Sequence, residues 1–328
     1  MMKRLSFTCS TIALALSAGA ALASDLPSRK EPPPPPYFAP ERVANWTGFY
    51  VGVNAGGTWS QSDSVNVSSA SILTADPALN LFAVPTSGAA ALAASGTVPS
   101  SSSGFIGGGQ IGYNWQFNNN FVAGFEADIQ GIAGEGGSST QSNVVTAPIG
   151  YNGNPAPNNF VGTTIGASRS LDYIGTVRGR IGYLFTPTLL GYATGGLAYG
   201  GVSSRTSIVG STLGFNLGLA AGNAPYFSNG GFSDTRVGWT AGGGLEWMFL
   251  PNWSAKFEYL YYDLGSVSYS AGVSASIVQP GALSMLPVGS PFYALASQSS
   301  ASFNGHIVRA GLNYHFSWAA PAPLVAKY

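Results

Sequence analysis

The chain has 328 residues, with 13 basic and 13 acidic side chains, 8% charged residues in all, 45 glycines and one cysteine. Soluble domains carry roughly 25% charged residues, so this chain is a poor candidate for a soluble enzyme, and its neutral balance leaves no electrostatic footprint for nucleic acid. No run of 18 apolar residues lies beyond the N-terminus, which argues against membrane-spanning helices.

Lys3 and Arg4 precede an apolar run that ends in the small residues Ala21 and Ala23. This is the pattern of a secretory signal, residues 1–23, cut before Ser24. Its removal takes away Cys9, the only cysteine, so neither a disulfide framework nor a thiolate metal site is expected. Residues 24–45 contain five consecutive prolines, Pro32 to Pro36, and read as a stiff, extended linker. On the same reading 46–318 form the folded part and 319–328 a short tail.

Eight stretches alternate between apolar and polar or small residues: 46–59, 105–118, 120–132, 169–185, 188–201, 234–250, 252–269 and 303–317. A period of two means strands. Short connections, "NNN" at 118–120, "TPT" at 186–188 and "LPN" at 250–252, suit tight turns. Long ones, 60–104, 133–167, 202–232 and 270–302, are rich in Ser, Ala, Gly, Asn and Thr, with only Asp63, Asp76, Glu135 and Arg205 charged. Short turns alternating with long loops, with an even strand count, are the mark of outer-membrane barrels. The expectation is an all-β fold: an eight-stranded antiparallel transmembrane up-and-down β-barrel with short periplasmic turns and four long extracellular loops.

Alternation also sorts the side chains. In 252–269, Trp253, Phe257, Tyr259 and Tyr261 share one face, while Lys256 and Glu258 share the other. Glu126, Asp128, Asp172, Arg178, Arg180, Glu246 and Arg309 likewise lie opposite the apolar set of their strands. A closed barrel turns the apolar face to lipid and the ionised face inward, so these nine residues are expected to form an interior ion-pair network. A soluble β-sandwich would need many Lys and Glu on its wet face, and these strands carry few. Trp115, Phe117, Phe121, Phe185, Trp247, Phe249, Trp253 and Phe316 cluster near the turns, as an aromatic girdle at the membrane interface would.

The segments "WTGFYVGVNAGGTW" (46–59), "GFIGGGQIGYNWQFNNNFVAGFEADI" (104–129), "TVRGRIGYLFTPTLLGYATGGLAYG" (176–200) and "VRAGLNYHF" (308–316), with the "DLPSRK…PPP" leader, resemble the porin-family outer-membrane β-barrel proteins of α-proteobacteria, often labelled outer-membrane immunogenic proteins. The resemblance covers the strands and the linker, and not the long loops. It implies an eight-stranded barrel integral to the outer membrane of a Gram-negative cell. It also implies insertion by the outer-membrane assembly machinery, which reads a terminal aromatic strand. Here either the internal "NYHF" or Tyr328 fills that place.

Function follows from width. An eight-stranded barrel is just wide enough for side chains to fill, so the expected role is structural support of the envelope with a largely occluded lumen. A small-solute porin is the alternative, with glycines such as Gly112, Gly124 and Gly244 leaving interior space; a surface adhesin acting through the loops is a second. The expected partners are outer-membrane lipid, lipopolysaccharide and the assembly machinery. No catalytic, cofactor or metal site is expected. His306 is placed near the outer strand end, within reach of loop serines, and His315 at the inner end as an interfacial residue.

Overall fold

The computed structural model describes residues 45–72, 83–134, 136–146, 150–151, 154–155, 160–213, 225–277 and 291–316. The signal, all of the linker before Asn45, and the tail fall outside these residues. The elements in chain order are β1 (Gly48–Ser60), β2 (Ser64–Ser71), α1 (Ala83–Ala93), β3 (Gly96–Pro99), β4 (Ser103–Phe117), β5 (Phe121–Ala133), β6 (Gly137–Thr146), β7 (Gly150–Tyr151), β8 (Asn154–Pro155), β9 (Phe160–Thr186), β10 (Leu189–Leu213), β11 (Pro225–Leu250), β12 (Trp253–Ile277) and β13 (Pro291–His315).

Pairing runs β1-β4-β5-β9-β10-β11-β12-β13, all antiparallel, and the ring closes where β13 pairs with β1 from Tyr50↔His315 to Ser60↔Gly305. Closure leaves no sheet edge in the wall. The turns are tight at one end of the ring. Asn118 and Asn119 take positive φ, 48° and 61°, between the paired Phe117 and Phe121, a conformation that asparagine tolerates. Two-residue turns, Pro187–Thr188 and Pro251–Asn252, join Thr186 to Leu189 and Leu250 to Trp253.

At the opposite end the structure departs from the expected loops. β9 to β13 run to between 25 and 27 residues, so much of the chain read as loop is strand. Beyond the ring, β6 joins β9 and extends a β6-β9-β10-β11 sheet. On the other side β2 and β3 extend a β12-β13-β2-β3 sheet. Helix α1 packs between them: Ala89, Ala90, Ala93 and Ala94 are buried in one apolar cluster with Val65 and Leu295 from one sheet and Val161 and Ile165 from the other. Asn143 Nδ2 on β6 donates to the carbonyls of Ala93 (3.0 Å) and Ser95 (3.1 Å), and Ser87 Oγ accepts the Ala294 amide of β13.

Alternation is carried through the wall. Outward positions such as Phe125 (74% exposed), Ile181, Leu197, Val237, Leu245 and Phe257 form an apolar belt, while alternate positions such as Glu126, Arg180, Ala198, Glu246, Lys256 and Glu258 are buried inside.

Candidate functional site

Inside the ring, the half nearer the tight turns is ionic. β5 contributes Glu126 and Asp128, β9 Arg178 and Arg180, β11 Glu246, β12 Lys256 and Glu258, and β13 Arg309, each at most 5% exposed. Four carboxylates thus meet four cations. Arg178 binds Glu126, Asp128 (2.9 Å) and Glu258 (3.0 Å), and so ties β9 to β5 and β12 across the lumen. Arg309 reaches Glu258 (2.5 Å) and Asp128 (2.8 Å); Arg180 reaches Glu246 (2.6 Å); Lys256 Nζ sits 2.9 Å from Glu126. An unpaired charge here would cost several kcal/mol, and the matched set avoids that cost.

Eight of the nine interior residues read from the sequence are brought together in this way. Asp172 is not. The ladder slips between Gly201 and Val202, whose partners are Tyr173 and Leu171, so Asp172 is the extra residue of a β-bulge. It is exposed and takes a hydrogen bond from Ser170 Oγ at 3.0 Å. A bulge breaks the parity on which the inward reading rested.

Neutral groups that sequence reasoning did not single out complete the cluster. Tyr50 donates to Glu126 (2.7 Å) and accepts from Arg180 (3.1 Å). Tyr192 donates to Glu258 (2.9 Å), and its ring lies 4.3 Å from the Arg180 guanidinium carbon. The interior glycines do not leave the room expected of them. A Cβ on Gly112 would clash with the hydroxyl-bearing edge of the Tyr50 ring, and one on Gly244 would be 2.8 Å from the Tyr192 hydroxyl. Glycine at these positions is what lets the rings lie flat against the wall.

His315 is also inside, 5% exposed, which corrects its reading as an interfacial residue: β13 parity turns it inward. Its Nε2 lies 2.8 Å from Ser254 Oγ and 3.4 Å from Glu246 Oε1, while Ser254 donates to Glu246 at 2.6 Å. A nucleophile-base-acid relay needs the acid and the nucleophile on opposite ring nitrogens; here both contact one. His306 faces outward, where its Nδ1 meets the Tyr259 hydroxyl at 2.7 Å and its ring stacks on Trp59 at 5.6 Å, rather than meeting a loop serine.

Two further buried layers flank the ionic cluster. At the tight-turn end, Trp46 is fully buried, its indole N–H donating to the Pro187 carbonyl at 3.0 Å and its ring edge-on to His315 at 5.7 Å. At the other end of the ionic cluster lies an apolar layer of Ile106, Ile174, Leu260, Tyr262, Phe303 and Ile307, continuous with the cluster around α1. Arg169, 3% exposed, stands at this junction with no carboxylate in ion-pair contact among the described residues. It donates to three carbonyls: Ser302 (2.5 Å), Ser62, and Ser100 (2.9 Å). These lie on β13 and on the two segments that flank β2 and β3.

Outside, the residues read as a girdle form chains of ring contacts. Trp115, Phe117, Phe121, Tyr183 and Phe185 follow one another at 5.4–5.8 Å. Trp247 meets Phe249 at 5.9 Å, and Tyr314 links Trp253 (5.3 Å) to Phe316 (5.2 Å). All but Phe117, which is half-buried, are exposed. A second group, Trp59, Trp239, Tyr259, Tyr261 and His306, lies toward the opposite end of the ring. A closed sheet with an apolar belt, aromatic borders and its ions inside is the physical definition of a barrel dissolved in a membrane.

The comparisons with known proteins agree. A profile of the outer membrane protein β-barrel domain matches residues 11–316. The chain is 31% identical over 312 residues to the 31 kDa outer-membrane immunogenic protein of Brucella melitensis, an alignment covering 92% of this chain and 96% of that one. It is 31% identical over 185 residues to a 22 kDa outer membrane protein of Rhizobium leguminosarum, covering 53% and 64% of the two chains. Among solved structures, OprG of Pseudomonas aeruginosa aligns with 84% of this chain and 99% of its own, at 9% identity and a TM-score of 0.33. The chain belongs to the outer-membrane β-barrel protein family and is an integral protein of the Gram-negative outer membrane.

Proposed function

We propose that this protein is a structural component of the outer membrane, an occluded barrel whose eight ring strands all cross the bilayer, with the tight turns in the periplasm and the strand extensions outside. The observation that carries this reading is the buried interior: four carboxylates and four cations pack in the half nearer the tight turns, and an apolar layer capped by α1 packs in the other. Ions crossing such a path would have to displace a neutralised network and then pass a dry layer. Both steps are expensive in a low-dielectric interior. The role is therefore mechanical and antigenic rather than catalytic or conductive; the Brucella relative is itself named for its immunogenicity.

Single-channel recording of the refolded full chain in planar bilayers tests occlusion. The expected result is a closed baseline. Large, stable, voltage-tolerant openings would make the protein a small-solute porin instead.

A further inference from the structure

Arg205 is the one exposed cation among the described residues, since Arg169, Arg178, Arg180, Lys256 and Arg309 are buried and Arg236 is half-buried. It lies on β10 beyond the ring, opposite Gly231 of β11, on the outward face of the β6-β9-β10-β11 sheet. Around it is a groove of about 560 Å³ lined by Ser138, Thr140, Ser168, Ser207 and Asn229, with Gly166 and Gly231 also in its wall and no acidic residue among its lining. Among the described residues, the side chains of Arg205, Asn229, Ser207, Thr140 and Ser138 have no hydrogen-bond or ion-pair partner in the chain.

The same face carries Phe227, 79% exposed, paired with Val209, 58% exposed. Isolated exposed apolar groups are ordinary. A phenyl ring this bare, on the same outward face as a free guanidinium and unpaired amide and hydroxyl groups, is a different matter. Phe227 is four residues along β11 from the partner of Arg205, hence about 13 Å away, the span of two or three sugar rings. The lining offers what an anionic oligosaccharide needs: a planar fork for a phosphate or carboxylate, amide and hydroxyl groups for its hydroxyls, and an aromatic face for its C–H side.

We propose that this face binds the phosphorylated or carboxylated core sugars of lipopolysaccharide in the surrounding outer leaflet. Height selects the core over the lipid-borne phosphates. Gly231 is eight residues beyond Trp239, the outermost tryptophan of β11. That distance is about 26 Å along the strand, or on the order of 20 Å above the level of Trp239 for a tilted strand. The inference rests on the sidedness proposed above, with the strand extensions outside the cell.

Refolded full-length protein in detergent micelles is titrated with purified lipopolysaccharide bearing a complete core and, separately, with lipid A alone. The expected result is tighter binding of the core-bearing form and a roughly tenfold loss on Arg205→Ala, the size of one charge-assisted hydrogen bond, with lipid A affinity unchanged. Arg205→Lys should recover part of the loss, and Phe227→Ala should produce a smaller one. Equal wild-type affinity for the two probes, an unaffected Arg205→Ala variant, or an equal loss on both probes overturns the proposal. Sidedness is tested by itself: Arg205→Cys gives the exported chain its only thiol, and a membrane-impermeant maleimide should label it on intact cells. Failure to label, with labelling restored after outer-membrane lysis, defeats the orientation; labelling without a binding defect in Arg205→Ala defeats the saccharide site alone.

Discussion

Arg178 on β9 and Glu258 on β12 meet inside the ring with Nη1 3.0 Å from Oε1, although two strands separate them along the wall. The contact spans the lumen rather than following its surface. It makes the cross-section of the barrel a bonded plane.

Removing Arg178 should therefore be costly. Arg178→Ala leaves Glu126, Asp128 and Glu258 with fewer cations in a buried setting, where breaking one pair costs about 3–5 kcal/mol. Urea unfolding of the refolded protein in detergent, followed by the heat-modifiable gel shift, should show a loss of that order. The Glu258→Gln and Arg309→Met pair should lose less than the sum of its single variants, because each variant alone strands its partner.

Gly112→Ala should destabilise by about 1–3 kcal/mol through overpacking against the Tyr50 ring. Combining it with Tyr50→Ala should relieve most of the clash while adding the loss of the hydrogen bond to Glu126. The same unfolding assay reads the non-additivity. Strictly additive costs would mean that ring and glycine do not touch.

The wall makes a depth-dependent prediction. Phe125→Arg, on the apolar belt, should cost about 2–4 kcal/mol in lipid, and Trp253→Arg, at the girdle, about 0–1. Equal costs in refolding titrations from liposomes would show that the two sites lie at one depth.

Arg169 should hold the outer cap without holding the barrel. Arg169→Met removes the donors to Ser62, Ser100 and Ser302 while keeping an apolar stem beside Phe303. Limited proteolysis should then cut within 60–103 while the heat-modifiable core persists. An unchanged digestion pattern would assign the cap's stability to α1 packing alone.

Much of the inner face was legible because strand alternation is strict: Lys256 and Glu258 stand two apart and so share a side. Asp172 escaped the same rule because one inserted residue reverses parity, and nothing in "SLDYIG" announces the insertion. The strand extensions escaped for another reason. Segments such as "VGTTIGA" and "VSSRTSIVG" alternate among small residues with little polar contrast, so they read as loop, whereas pairing with neighbours decides the matter. Trp46 and Arg169 owe their places to partners more than 100 residues away, Pro187 for the first and Ser62 and Ser302 for the second, and no local pattern encodes those meetings.

The seam between β1 and β13 gives the neutral lumen a bearing on biogenesis. Arg309 rides on the last strand and Tyr50 on the first, so an unzipped ring would present Asp128 and Glu126 to the bilayer short of their companions. Zipping the final seam and cancelling the last ions become a single event.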